Sequence, residues 1–185
     1  MGYTNYFTLK KDIPQETWDK IIKDCKKLYK NMPEHTDAVG GDIKDTLIIN
    51  GCFAYKLPQF NSKMIHFNGG SCLVKNRIKQ IDGWRDSAIK EEILGEDLGH
   101  ETFDLRPTPI MRERFSVRDG FSLCKTARKP YDLMVKACLL ICQNYLEKDI
   151  EISCDGEDED WLPAIKFVAE TLNYISPDMA SKMIS

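Results

Sequence analysis

PYDLMVKACLLICQNYLEKDIEISC, residues 130–154, is the stretch that decides the predicted fold. Pro130 suits the first turn of a helix, where its missing N–H costs nothing. The apolar positions that follow surround nearly the whole helix instead of forming one stripe, which is typical of a central, buried helix. The segment IEISC then has the composition of a strand. The stretch therefore predicts a buried helix with a strand directly after it.

The flanking sequence predicts further strands and helices. Alternation favours strands at 3–9, 46–50, 63–67, 101–105, 115–117 and 121–124, and helical periodicity favours helices at about 14–32 and 158–174, with some helix around 86–94. This order predicts an α+β fold: an antiparallel or mixed sheet of about five strands, with three main helices mostly on one face. We expect one domain over 1–185, with a probable insertion at 70–98 and a long loop at 106–120.

Composition limits the classes of function. The chain has 185 residues, 42% of them hydrophobic, and a net charge of −3, which argues against broad nucleic-acid binding. A local basic patch at 106–118 remains open as an exception. Seven cysteines without a CxxC pair, no apolar leader and no membrane-length apolar run indicate a reduced, cytoplasmic protein that does not enter a membrane.

The segment CKTARKPYD, 124–132, has the character of an anion site. Lys125, Arg128 and Lys129 lie where a strand ends and a helix begins, and a helix N-terminus offers unpaired N–H groups and a partial positive charge. The Thr126 hydroxyl adds a donor, and the Tyr131 ring could stack on a base. These residue types together predict binding of a phosphate-bearing group.

Two other segments carry candidate site residues. In GHETF, 99–103, His100 is a candidate general acid or base, and Thr102 shares its side of the strand. In HFNGG, 66–70, His66 and Asn68 share one strand face, and Gly69 permits close approach of a ligand to the backbone. The three segments could converge on one rim of the sheet.

Each feature also has a purely structural interpretation. The three cations would pair with acidic side chains at 155–160, His100 would be an ordinary histidine, and FNG would be a plain turn. If Arg128 points at those acids and away from FNG and HETF, the expected pocket does not exist. Cys124 as an activated nucleophile would need a histidine partner. The acids of SCDGEDED lack EF-hand spacing and suit a helix start, so no metal and no cofactor are expected.

The blocks FNG, HETF, CKTARKPYD and SCDG together resemble a family of small tailed-bacteriophage proteins of uncharacterised function. The resemblance implies a phage origin and synthesis in the host bacterial cytoplasm, and it supplies no catalytic residues. This chain departs from the compact pattern of that family at 70–98 and 106–120, which are long here.

These observations favour a binding protein over an enzyme. The expected role is sequestration of a nucleotide-derived, phosphate-bearing signal of host antiviral defence, by a chain that forms a homo-oligomer. The alternatives are a hydrolase or transferase acting on a nucleotide or another phosphate-containing substrate, with His100 or His66 as acid or base, and a binder of a host protein or nucleic acid. The expected ligand-binding residues are Asn68, Gly69, His100, Thr102, Lys125, Thr126, Arg128, Lys129 and Tyr131.

Overall fold

The computed structural model describes residues 2–32, 58–69, 99–110 and 120–173, together with the backbone of three short strands between 35 and 48. Its helices are α1 (Gln15–Lys30), α2 (Asp132–Leu146) and α3 (Leu162–Thr171). Its strands are β1 (Thr4–Leu9), β2 (His35–Thr36), β3 (Asp42–Ile43), β4 (Leu47–Ile48), β5 (Gln59–Phe60), β6 (Ile65–Gly69), β7 (Phe103–Leu105), β8 (Phe121–Lys125) and β9 (Ile150–Cys154).

The first sheet has the order β8-β1-β9, and both pairings are antiparallel. The alternation in TNYFTL gives β1 two different faces. The side chains of Asn5, Phe7 and Leu9 are buried, whereas those of Tyr6 and Thr8 on the other face are only partly buried. Asn5 lies opposite both Cys124 and Cys154. One face of this sheet therefore belongs to the core.

The second sheet is built around β6. Strands β5 and β7 pair with its first half, β4 pairs with its last two residues, and all three pairings are antiparallel. Ile65 and Phe67 point into the core. A series of aromatic rings joins the two sheets and α1, with neighbouring ring centroids 5.1 to 6.0 Å apart: Phe7, Phe103, Phe67, Phe60 and Tyr29.

Helix α2 is the centre of the core. Every residue from Met134 to Cys142 is buried, as its all-round apolar sequence predicts. Helices α1 and α3 both pack against it, and it also packs on β1 and β9. In α1 the apolar positions face inward while its lysines face solvent. Pro163 is tolerated because it occupies the first turn of α3.

The predicted α+β class is confirmed, with three helices and antiparallel sheets among the described residues. Two details differ from the expectation. The described strands form two main sheets instead of one, and the last helix is preceded by a 3-10 turn at Asp158–Trp161. The predicted strand at 115–117 and the helix around 86–94 lie outside the described residues. No helix in the described ranges has the length and apolar character needed to span a membrane.

Candidate ligand-binding site

The FNG and HETF segments are joined by one buried amide, that of Asn68. Its Nδ2 donates to the carbonyl oxygen of His100 at 2.9 Å and to Thr102 Oγ1 at 3.2 Å. Its Oδ1 accepts from the backbone N–H of His100 at 3.0 Å and of Gly69 at 2.7 Å. Because this side chain is only 1% exposed and its amide is fully engaged, Asn68 positions the His100 loop.

HETF is joined in turn to CKTARKPYD through Glu101. The Glu101 N–H donates to the Lys125 carbonyl at 3.1 Å, and the Lys125 N–H donates to Glu101 Oε2 at 2.8 Å. The Tyr131 hydroxyl donates to the Glu101 carbonyl at 2.7 Å. Glu101 thus behaves like one additional strand residue at the outer edge of β8. The sequence interpretation gave Glu101 no role of its own.

The FNG, HETF and CKTARKPYD segments therefore lie side by side. The His100 side chain is exposed, and Lys125 is half-buried just across the Glu101 contact. The aliphatic stem of Lys125 packs so closely on Gly2 that a Cβ atom there would lie 2.2 Å from Lys125 Cε. The contact involves the far end of the lysine side chain, since Nζ and Cδ of Lys125 also lie within 4 Å of that position.

A tight turn follows β8. The Lys129 N–H donates to the Thr126 carbonyl at 3.0 Å, and Ala127 and Arg128 between them have φ values of 52° and 59°. Two positive φ values closed by this hydrogen bond are the pattern of a type I′ turn, which normally takes glycine or asparagine. The Tyr3 carbonyl holds the strained turn by accepting from the N–H groups of Thr126 and Ala127.

Arg128 is directed toward Asp160. Its guanidinium forms a two-point contact with both carboxylate oxygens of Asp160 and stacks over the Tyr3 ring, 4.0 Å from the centroid. The hydrogen bond from Arg128 lowers the pKa of Asp160. For Arg128 the structural interpretation, pairing with the acids at 155–160, is therefore the one found. An open guanidinium facing FNG and HETF is not found, so the expected pocket that includes Arg128 is not formed in this structure.

The N-terminal end of α2 already holds a carboxylate of the protein. Asp132 Oδ1 accepts from Asn5 Nδ2 at 2.7 Å and from Thr126 Oγ1 at 2.5 Å, and Asp132 Oδ2 lies 3.1 Å from Lys136 Nζ. The Lys136 ammonium also donates to the Tyr3 hydroxyl and to the Asp160 carbonyl, each at 2.8 Å. The sequence interpretation missed this network. The i,i+4 spacing of Asp132 and Lys136 was a local signal for their pair, whereas the contacts with Tyr3 and Asn5 join distant parts of the chain.

Burial removes four of the expected ligand contacts and one candidate nucleophile. Asn68 and Gly69 are buried in β6. Thr126 and Tyr131 are fully buried with their hydroxyls engaged inside the protein, so the expectation that the Tyr131 ring stacks on a base is wrong for this conformation. Burial also raises the pKa of the Cys124 thiol to about 12. A protonated, buried thiol is a poor nucleophile, so an activated Cys124 is excluded as well.

A second polar group lies on the second sheet. His66 Nδ1 is 2.9 Å from Asp104 Oδ2, and Arg106 Nε donates to Asp104 Oδ1 at 2.8 Å. Burial would raise the pKa of Asp104, but the hydrogen bonds from Arg106 and His66 outweigh it and lower that pKa. The neighbours orient His66 in the way that a carboxylate orients a general-base histidine.

Three other kinds of site are conceivable in this chain: a groove, a metal site and a basic patch. A shallow groove of about 210 Å³ lies at the opposite end of β1, lined among others by Leu9, Lys11, Tyr145 and Asp149. Among the described residues no cluster of side chains could hold a metal ion. Most of the basic segment that carries Arg112, Arg114 and Arg118 lies outside the described residues.

Comparison of the chain with protein-family models, with curated proteins and with solved structures found no match.

Proposed function

We propose that this protein is a phage-encoded binding protein that holds a nucleotide-derived, phosphate-bearing signal of host antiviral defence in the host bacterial cytoplasm. The observation that supports binding is that hydrogen bonds of Asn68 and Glu101 hold the segments FNG, HETF and CKTARKPYD next to one another. The phage context comes from the resemblance of these blocks to a tailed-phage family, the phosphate-bearing ligand is inferred from the residue types, and the sequestration of a defence signal is the hypothesis that joins the two.

The residues fall into two groups in this proposal. Asn68, Glu101, Thr126 and Tyr131 position the loops, since their polar atoms are engaged within the protein. The groups proposed to face the ligand are the exposed His100 imidazole and the cations Lys125 and Lys129, and Arg128 joins them only when it leaves Asp160.

Arg128 can join this site by exchanging one anion for another. Its side chain is 58% exposed in the contact with Asp160, and ion pairs in contact with water are weak. A phosphate presents the same pair of oxygens to the guanidinium that the Asp160 carboxylate presents. The ligand therefore replaces Asp160 at Arg128 and gains Lys125 and Lys129 as further charged donors.

The test is release of a bound molecule. Protein purified from phage-infected bacteria is heat-denatured, and the supernatant is analysed by mass spectrometry; recombinant protein is titrated with cyclic dinucleotides, ADP-ribose and pyrophosphate in a thermal-shift assay. We expect one intact ligand and a matching rise in Tm. Neither released ligand nor thermal shift would refute the proposal.

A matched pair of variants locates the site. Lys125→Met with Lys129→Met should weaken binding by about tenfold or more, because charge-assisted hydrogen bonds are lost. Lys23→Met with Lys26→Met removes the same charge from the exposed face of α1 and should leave binding unchanged. Equal losses in both double variants would indicate only non-specific attraction to positive charge.

A second candidate function, an enzyme acting on a phosphate-containing substrate, is favoured by the His66–Asp104 contact. In this reading His66 takes or gives a proton, with Asp104 setting its orientation. The same ligand mixtures decide between the two functions. Intact ligand after long incubation supports sequestration, whereas products that disappear in His66→Gln support the enzyme.

A further inference from the structure

The two outer edges of the first sheet differ. At the β8 edge, the backbone of Lys125 is already paired with Glu101. At the β9 edge, no strand of the described residues pairs with Ile150–Cys154. An unpaired strand edge is a template for another strand, and proteins usually block such edges with proline, lysine or a bulge. The sequence IEISC of β9 has neither proline nor lysine, and its one charged side chain, Glu151, is paired with Lys10 of the same chain.

The register shows which backbone groups of β9 face outward. Asp155 N–H donates to the Thr4 carbonyl and Lys10 N–H to the Asp149 carbonyl, at the two ends of the β1–β9 ladder. Hydrogen-bonded and non-bonded pairs alternate in an antiparallel ladder, so the residues of β9 that bond to β1 are Glu151 and Ser153. The backbone groups of the alternate residues, Ile150, Ile152 and Cys154, are turned to the outer edge.

These outward groups fit a second copy of the same strand. In an antiparallel arrangement with a two-fold axis at Ile152, the two Ile152 residues exchange both of their backbone hydrogen bonds. Each Cys154 N–H then donates to the Ile150 carbonyl of the other copy. The Ile150 N–H takes no part in the contact between the copies, because it already donates to the Glu147 carbonyl within its own chain.

The side chains are compatible with this register as well. Ile152 meets Ile152 of the second copy on the side of the helices, where β9 already buries Ile150. On the other side Glu151 lies opposite the uncharged Ser153, so no two like charges are directly paired. Each Glu151 also has its own counter-ion, since Lys10 Nζ is 2.8 Å away.

We propose that β9 is a homodimer interface, in which two copies join their first sheets edge to edge with Ile152 on the two-fold axis. This assignment is independent of the proposed ligand. It gives a continuous sheet across the dimer, in which β9 of one copy lies beside β9 of the other. The helices of both copies lie on the same side of that sheet.

The test uses opposite charges at one exposed position. Ser153→Lys places a lysine opposite Glu151 of the second copy and should tighten the dimer, whereas Ser153→Glu places like charges together and should weaken it. Two such pairs form per dimer, so we expect a change of about threefold or more in each direction. The dissociation constants are measured by sedimentation equilibrium, and the difference should shrink in high salt.

Ile152→Pro is the complementary variant. It removes an outward N–H that β1 does not use, which an edge strand tolerates, and it should yield a monomer with an unchanged far-UV CD spectrum. If this variant does not fold, the Ser153 pair decides the question. A wild-type protein that is monomeric at all concentrations, or Ser153→Lys and Ser153→Glu variants that shift the dissociation constant in the same direction, would overturn the proposal.

Discussion

Two cation–carboxylate pairs lie near the N-terminal end of α2, and they differ in their contact with water. In the pair Lys136–Asp132 the side chains are 4% and 14% exposed, and in the pair Arg128–Asp160 they are 58% and 23% exposed. The first pair is part of a buried network with Asn5. In the second pair, the Arg128 guanidinium stacks on the Tyr3 ring at the surface of the protein.

The difference in exposure means that the two pairs differ in how easily they can exchange partners. A buried charge must keep its partner, because desolvation is costly and water cannot replace the lost contact. An exposed charge can change partners at little cost, because water solvates it during the exchange. We therefore assign the Lys136–Asp132 pair to the structure of the fold, whereas the exposure of the Arg128–Asp160 pair is what the proposed exchange with a ligand requires.

The largest expected effect is that of Lys136→Met. The substitution keeps much of the side-chain volume but leaves Asp132 and the Asp160 carbonyl without their ammonium donor, so we expect a loss of about 3–5 kcal/mol in the free energy of unfolding. Urea denaturation measures it. The matched control is Lys166→Met, which breaks the exposed i,i+4 pair with Glu170 and should cost far less. Equal losses would remove the distinction between buried and exposed pairs.

An intermediate effect is expected for Asp104, whose side chain is 27% exposed. Its pKa in the folded protein is below the ordinary value of 3.8, chiefly because the hydrogen bonds from Arg106 and His66 outweigh its burial. Its contribution to stability is therefore complete above the pKa of the unfolded chain and is lost as the pH falls through the lower folded pKa.

Asp104→Asn should consequently lower stability at neutral pH and flatten the acid side of the profile. Unfolding free energies measured by urea between about pH 2 and pH 6 should converge for wild type and variant at the acid end. The exposed Asp12→Asn variant serves as the control and should leave the profile unchanged. A constant gap between wild type and Asp104→Asn at all pH values would show that the effect is steric.

The smallest effect on stability is expected for Arg128→Gln. Its ion pair faces solvent, so Tm should change little and the change should diminish in high salt. The same variant should clearly weaken binding of the phosphate-bearing ligand. A loss of stability as large as that of Lys136→Met would mean instead that Arg128 holds the left-handed turn at Ala127, and its assignment to ligand exchange would fail.

The sequence determined the main elements of this fold. The all-round apolar pattern of 132–146 required a buried helix, the alternation in TNYFTL defined a one-sided strand, and IEISC was predicted with the bounds that β9 has. These patterns are local, because a residue's neighbours at fixed spacing decide which face is apolar. The predicted junction between strand and helix at 125–132 is likewise present.

Only the tertiary structure decided which polar atoms remain open to a ligand. Nothing local distinguishes Asn68, whose amide is engaged by the His100 loop, from an amide that binds a ligand. The i,i+4 spacing of Asp132 and Lys136 is a local signal for their pair, but nothing in the sequence around Asp132 indicates that Asn5 also contacts it. Hydrogen bonds such as that of Asn5 with Asp132 join residues 127 positions apart. Sequence can supply the donors and acceptors, but pairing depends on strand register and burial, which are properties of the assembled core.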